Sequence, residues 1–183
     1  GDKVLTAMAL EEAGQATPKT IVAFSQEAGL DHLSALGYPV VVKPPVGSWG
    51  RLMAKVNDRE AAEAVLEHKG KMNGDDPFFL QEYVKKPGRD IRTLVVGEQT
   101  VYAIYRQSEH WITNVARSGE AMPCPITEEI DQMSRAAASA VGGEVVAIDL
   151  LETAEGSLLI NEVNHTPEFQ GAVSALEIDV AEM

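Results

Sequence analysis

The run Val145-Val146-Ala147-Ile148-Asp149-Leu150-Leu151 sets one carboxylate inside an otherwise aliphatic stretch. Its β-branched content reads as a buried strand, where a lone carboxylate is costly unless a cation or hydrogen-bond donors meet it. A second such run, Leu158 to Val163, follows a turn around Glu155-Gly156, so the two strands pair as a hairpin. The centre of that turn sets Asp149 opposite Glu162. Side chains alternate along a strand, so Asn164 shares the face of Glu162 if the extended conformation continues that far. Three oxygen-bearing side chains then converge. Asp, Glu and Asn are the ligands a hard cation such as Mg²⁺ takes, with room left for phosphate oxygens and water. A solvent-facing polar edge is the alternative, and the cost of burying Asp149 favours the metal.

The rest of the chain alternates helix and strand without a regular parallel repeat. Asp2 is placed to cap a helix running to about Ala13, with Gly14 at the left-handed residue that ends it. An extended stretch from Lys19 to Ala23 leads to Ser25, the cap of a second helix that Gly37 ends, and Tyr38 to Lys43 reads as a strand. Pro44-Pro45-Val46-Gly47-Ser48-Trp49-Gly50 has loop chemistry and forms a flap between two strand-like runs. Asn57 or Asp58 caps a third helix through Lys69, and Phe78 to Val84 is a buried strand. Asp90 to Val96 and Thr100 to Gln107 form a hairpin about Gly97-Glu98-Gln99, and Thr127 caps a helix from Glu128 to Val141. This order of hairpins and helices predicts an α+β fold.

At 183 residues, 45% of them hydrophobic, the chain can bury a substantial core. Its net charge of −13 repels nucleic acid and anionic membranes, so neither is expected as a partner, and no apolar run is long enough to span a bilayer. No basic and apolar leader opens the sequence, and Cys124 is the single cysteine, which fits a reducing cytoplasm.

Against that acidity, a cation inside an apolar run needs a reason. Lys43 ends Val40-Val41-Val42 just before the flap, where an ammonium can act on a phosphate while backbone N–H groups close over it. A lysine that snorkels from a strand end is the plainer reading. No P-loop and no Gly-x-Gly-x-x-Gly fingerprint is present. Arg92 and Arg106 come near-opposite in the middle hairpin and, with Arg117, gather cations on one wall. Such a wall asks for an anion, a transferred phosphoryl group or a substrate carboxylate, unless surface carboxylates pair with it. His32 and His68 read as surface residues, and the histidines and Cys124 show neither zinc spacing nor a local triad. Trp49, between glycines, reads as a residue that meets a ligand or a lid surface. Both ends look cut: Gly1 enters a helix almost at once, and Val180 to Met183 stop inside a helix-like run.

On these residues the chain resembles the RimK-like ATP-grasp ligases over essentially its whole length. Asp2-Lys3, Val42-Lys43-Pro44, Gln81-Glu82-Tyr83-Val84, Asp90-Ile91-Arg92, Ile148-Asp149 and Asn161-Glu162-Val163-Asn164 fall in that family's order and spacing. The resemblance implies an ATP-grasp fold, two α+β lobes gripping ATP between them, without the usual N-terminal domain. The small lobe would cover about 20–83 and carry the flap; the larger, about 1–19 and 84–183, would carry the metal and substrate site. It implies a hinge at Glu82, Tyr83 and Val84, with Gln81, against adenine, Asp90 toward the ribose, and Lys3 and Lys43 on phosphates under flap residues Gly47, Ser48, Trp49 and Gly50. Asp149, Glu162 and Asn164 would hold Mg²⁺, or Mn²⁺ in its stead. Thr113-Asn114 would lie near the nucleotide and reaction centre, and Arg92, Arg106 and Arg117 would flank the transferring phosphate.

Gly47-Ser48-Trp49-Gly50-Arg51 and Asn164-His165-Thr166 with Glu168-Phe169 further resemble the LysX-type ligases of lysine biosynthesis, although Pro167 departs from their pattern. That likeness implies an ATP- and Mg-dependent carboxylate–amine ligase working through an acyl phosphate. It would join α-aminoadipate to the C-terminal glutamate of an amino-group carrier protein, with His165 and Thr166 beside the amino acid. A homo-oligomer, dimer or tetramer, is expected. Glutamate differs from α-aminoadipate by one methylene, which a pocket separates by only ~1–3 kcal/mol. A glutamate ligase of the RimK or arginine-pathway type therefore stays open, as does an ATP-binding module without turnover.

Overall fold

The computed structural model describes residues 2–47, 49–73, 76–113 and 120–177. Every strand pairing among them is antiparallel, which bears out the α+β reading. The chain divides into two units, Asp2–Ala7 with Pro18–Val84, and Met8–Thr17 with Lys85–Met183. The division differs from the sequence boundary at the first helix, whose opening turns join the smaller unit rather than the larger one.

The smaller unit holds the first half of α1 (Lys3–Glu12), then β1 (Thr20–Ala23), α2 (Gln26–Leu36), β2 (Val40–Lys43), β3 (Ala54–Val56), α3 (Arg59–Asn73) and β4 (Phe78–Glu82). Its sheet runs β1-β4-β2-β3. β2 is an interior strand buried at every residue, which is why its sequence is an unbroken β-branched run rather than an alternating one. The helix starts are set by side-chain caps, each worth ~1 kcal/mol. Asp2 Oδ1 accepts from the N–H groups of Val4 and Leu5, Ser25 Oγ from Ala28 and Asp58 Oδ1 from Ala61. Gly37, at φ 76°, ends α2 in a conformation that costs glycine nothing. Leu33, Val40, Val42, Val56, Leu66 and Leu80 form the core.

The larger unit holds β5 (Arg89–Val96), β6 (Gln99–Gln107), β7 (Glu120–Pro123), α4 (Glu128–Ala140), β8 (Val145–Glu152), β9 (Leu158–Asn164) and α5 (Gln170–Leu176). Its sheet runs β7-β6-β5-β8-β9. Thr127 Oγ1 caps α4 by accepting from Ile130 N–H. Side-chain alternation gives the sheet two unlike faces. Ile91, Val95, Ile148 and Leu150 join Ile130 and Ala137 of α4 in the main core, each large aliphatic contributing ~1.5–3 kcal/mol. Thr93, on the same face, is satisfied by Ser134 of α4 at 2.9 Å. The opposite face carries Leu94, Tyr102 and Ile104 under Ala172 of α5, and then turns polar.

Two elements depart from the sequence reading. β7 lies where no strand is expected and ends at Pro123, whose missing N–H is tolerated on an outermost strand. α5 is short and starts without a side-chain cap, so it carries little local signal. The helix-like run from Val180 lies outside the described residues.

Candidate active site

On the polar face of the larger sheet, four strands bring their charged residues together through register. Asp90 of β5 is opposite Arg106 of β6, Arg92 is opposite Asp149 of β8, and Asp149 is opposite Glu162 of β9. Arg106 Nε donates to Asp90 Oδ1 at 2.7 Å, and its Nη2 lies 3.3 Å from Asp149 Oδ1. Arg92 Nη1 donates to both Asp149 oxygens, at 3.0 and 3.3 Å, and Asn164 Nδ2 donates to Asp149 Oδ2 at 3.3 Å. The second oxygen of Asp90 accepts the Thr113 hydroxyl, which in turn accepts from Lys86 Nζ at 2.6 Å. Lys86 Nζ also lies 3.5 Å from that Asp90 oxygen.

The cluster is dry: the side chains of Asp90, Arg106, Asp149 and Lys86 are all under a tenth exposed. Within it, Lys86, Arg92 and Arg106 face Asp90 and Asp149, and Glu162, opposite Asp149, is a third carboxylate on the same face. Burial by itself raises the pKa of Asp149, but the Arg106 and Arg92 guanidiniums outweigh it and hold the carboxyl below its ordinary value. Burial likewise opposes the charge on Arg106, and Asp149 and Asp90 outweigh it in the other direction. Lys86 is pushed down by burial, which the carboxylate of Asp90 only partly offsets. Arg92 Nε is a buried donor with no partner among the described residues.

The hairpin register places Asp149 opposite Glu162 as expected, by two deviations that cancel. Beyond the turn the strands pair Leu150 with Ile160, one residue off the expected register, and a bulge at Asn161 restores it. The middle hairpin corrects the sequence reading. Arg92 faces Ile104 and Arg106 faces Asp90, so the two arginines are diagonal rather than near-opposite, though still on one face. Their anions come from within the protein, Asp90 and Asp149, and not from surface carboxylates.

In the smaller unit, Lys43 is buried and donates to Gln81 Oε1 at 2.5 Å, while Gln81 Nε2 donates to Thr20 Oγ1 at 3.1 Å. Glu82 turns its carboxylate onto the N–H of Lys19 at 2.8 Å, Tyr83 lies under the Lys55 ammonium at 4.6 Å, and Val84 is half-buried. Lys3 Nζ donates to the carbonyl of Gly47 at 2.7 Å, tying α1 to the flap. Trp49 is exposed, at φ 63°, with the Arg51 guanidinium 5.0 Å from its ring, and Gly50 follows at φ 62°. His165 and Thr166 are exposed just past β9. Ser48, Asn114 and Arg117 lie outside the described residues.

Sequence reasoning passes over Lys86, and the family likeness places Thr113 near the reaction centre without giving it a partner. Lys86 sits in Lys85-Lys86-Pro87-Gly88, which reads as a solvated basic turn. Its only local signal is Asp90 four residues on, and Thr113 is brought to it by the fold.

A family model described as the RimK-like ATP-grasp domain matches residues 1–183. The chain is 38% identical over 184 residues to the alpha-aminoadipate–LysW ligase LysX of Sulfurisphaera tokodaii, covering 99% of this chain and 65% of that protein. It is 37% identical over 186 residues to the glutamate–LysW ligase ArgX of the same organism, covering 100% of this chain and 66% of that one. The chain thus spans about two thirds of the length of the curated relatives it matches. Among solved structures, a RimK domain ATP-grasp protein from Sphaerobacter thermophilus superposes with a TM-score of 0.78 at 25% identity, over 98% of this chain and 64% of that one.

Proposed function

The chain belongs to the RimK-like ATP-grasp family, and on that premise we propose that it is the ATP- and metal-handling part of a carboxylate–amine ligase. The reaction is activation of the C-terminal glutamate side chain of a carrier protein as an acyl phosphate, followed by attack of the amino group of α-aminoadipate and release of phosphate. The observation that carries this reading is the pairing of Asp149 with Glu162 across β8 and β9, beside Arg92 and Arg106.

A divalent cation suits the donors present. Two carboxylates directly opposite one another repel, and Asn164 lies within hydrogen-bond distance of one of them. Its amide turned over offers an oxygen to the same space, completing a hard-oxygen set. Asp149, Glu162 and Asn164 would therefore hold Mg²⁺, which when bound offsets charge on the phosphates. Arg106 and Arg92, oriented by their carboxylates, stabilise negative charge that develops during transfer. Fixing them beforehand spares the cost of reorganisation at the moment of reaction. Lys43 and Lys3 bind phosphate oxygens, with the flap residues Gly47 to Gly50 excluding water from the acyl phosphate. His165 and Thr166, exposed beside the metal ligands, contact the amino-acid substrate. The acidic chain receives its carrier through a local basic patch, works as a homo-oligomer and resides in the cytoplasm.

Calorimetry tests the first half of this reading: ATP is expected to bind only in the presence of Mg²⁺, and Mg²⁺-independent or absent binding by folded protein would defeat it. ADP release with carrier protein and either amino acid tests the second. The 37% match to ArgX favours glutamate as the second reading, and a clear preference for glutamate would replace α-aminoadipate.

A further inference from the structure

We infer that Lys86 is a positioning residue for this site: through Thr113 and Asp90 it fixes the guanidinium of Arg106, and it supplies the cation that brings the site's three cations level with its three carboxylates. The inference rests on the proposed phosphate chemistry, because it assigns Arg106 a phosphate to meet.

The direction of the hydrogen-bond chain follows from what each group can do. An ammonium only donates, so Thr113 Oγ1 accepts from Lys86 at 2.6 Å, and the one hydroxyl proton is committed to Asp90. Asp90 then receives Thr113 on Oδ2 and Arg106 Nε on Oδ1, at 2.7 Å, so its carboxylate is held from both sides. With Nε pinned, the guanidinium of Arg106 extends Nη2 toward Asp149, 3.3 Å away. Cutting the chain at Lys86 frees the Thr113 proton, loosens one side of Asp90 and lets Arg106 turn.

Charge gives the second strand of the argument. Lys86, Arg92 and Arg106 match Asp90, Asp149 and Glu162 charge for charge, and without Lys86 the group carries one net negative charge. Burying an ammonium is costly. A lysine kept 9% exposed against Asp90, at 3.5 Å, is therefore poorly explained by packing alone. The net negative charge left without Lys86 would repel an incoming phosphate.

The test is calorimetry of the chain with Mg²⁺ and either the non-hydrolysable analogue AMP-PNP or ADP, alongside thermal unfolding. Lys86→Met is expected to weaken AMP-PNP about tenfold while ADP changes less than about threefold, because Arg106 serves the terminal phosphate. Lys86→Arg keeps the charge and donors and is expected to return AMP-PNP to within about threefold of the parent. Thr113→Val keeps the cation but cuts the relay, and is expected to shift the AMP-PNP to ADP ratio in the same direction. A role in packing alone would lower the unfolding midpoint and weaken both nucleotides equally. That result, or unchanged AMP-PNP binding in Lys86→Met, overturns the proposal. If Lys86→Met does not fold, Thr113→Val decides: a lost ratio supports the proposal and an unchanged one overturns it. Parent protein that binds neither nucleotide with Mg²⁺ overturns the ligase reading itself, and the positioning role with it.

Discussion

The hairpins β5–β6 and β8–β9 belong to one sheet, and each carries one register shift, yet they set opposite combinations of charge face to face. The first puts a carboxylate against a guanidinium, Asp90 with Arg106. The second puts Asp149 against Glu162, and like charges directly opposite are destabilising. The first hairpin carries a cation in excess, since Arg92 joins Arg106 against Asp90. The second draws on cations from its neighbours, since Arg92 and Arg106 reach Asp149 from β5 and β6. An antiparallel sheet can thus use a cation-rich hairpin as a frame and a carboxylate-rich one beside it as the source of ligands.

Removing the cation the two hairpins share should have the largest effect. Arg106→Met leaves both Asp90 and Asp149 short of a buried partner, and is expected to cost ~3–5 kcal/mol in urea unfolding, with loss of ADP release. Arg135→Met, which breaks an exposed i,i+4 pair with Asp131 at 3.5 Å, is the control and should cost no more than ~0.5 kcal/mol. Similar costs for the two variants would mean that burial adds nothing and that the frame is not electrostatic.

The pH dependence of stability sharpens the same contrast from the carboxylate side. Burial alone would raise the pKa of Asp149, but Arg106 and Arg92 bring it below the ordinary value, which is about 3.9 in an unfolded chain. Its contribution is therefore present above that unfolded value and is lost as pH falls through the lower folded one. Asp149→Asn removes this proton uptake, so stability below about pH 4 should fall less steeply by up to ~1.4 kcal/mol per pH unit. An unchanged acid slope, measured by unfolding at a series of pH values, would show that the arginines do not hold the carboxylate charged.

Much of this arrangement was legible because it follows from periodicity. The caps at Asp2, Ser25, Asp58 and Thr127 and the aliphatic run around Asp149 are local signals, and the fold uses each of them. Register was harder. In β8–β9 the bulge at Asn161 cancels the offset of the turn, so the expected pair forms. In β5–β6 the tight turn that pairs Val96 with Gln99 and the extra residue Val101 cancel in the same way about Glu98, which pairs Asp90 with Arg106; the sequence reading set Arg92 near-opposite Arg106 instead, two positions off that register. Neither bulge has a local signal, because a bulge is set by packing on both faces. The pairing of Lys86 with Thr113 was illegible for another reason: 27 residues separate them, and only the folded sheet turns a basic turn into a buried relay.

The smallest expected effect bears most directly on the carboxylate-rich hairpin. Glu162→Gln removes one of two facing carboxylates while keeping size and shape, so without metal it should leave stability unchanged or raise it by ~0.2–1 kcal/mol. The same change removes a hard charged ligand, so the thermal shift produced by Mg·ATP should shrink, since a ligand stabilises in proportion to how tightly the native state holds it. The two signs together are diagnostic. A frame residue such as Arg106 loses stability with or without metal, whereas a ligand residue in a repulsive pair gains without metal and loses with it. If Glu162→Gln instead unfolds more easily in the absence of Mg²⁺, its carboxylate serves the fold rather than a cation, and the repulsion across β8–β9 is already offset within the protein.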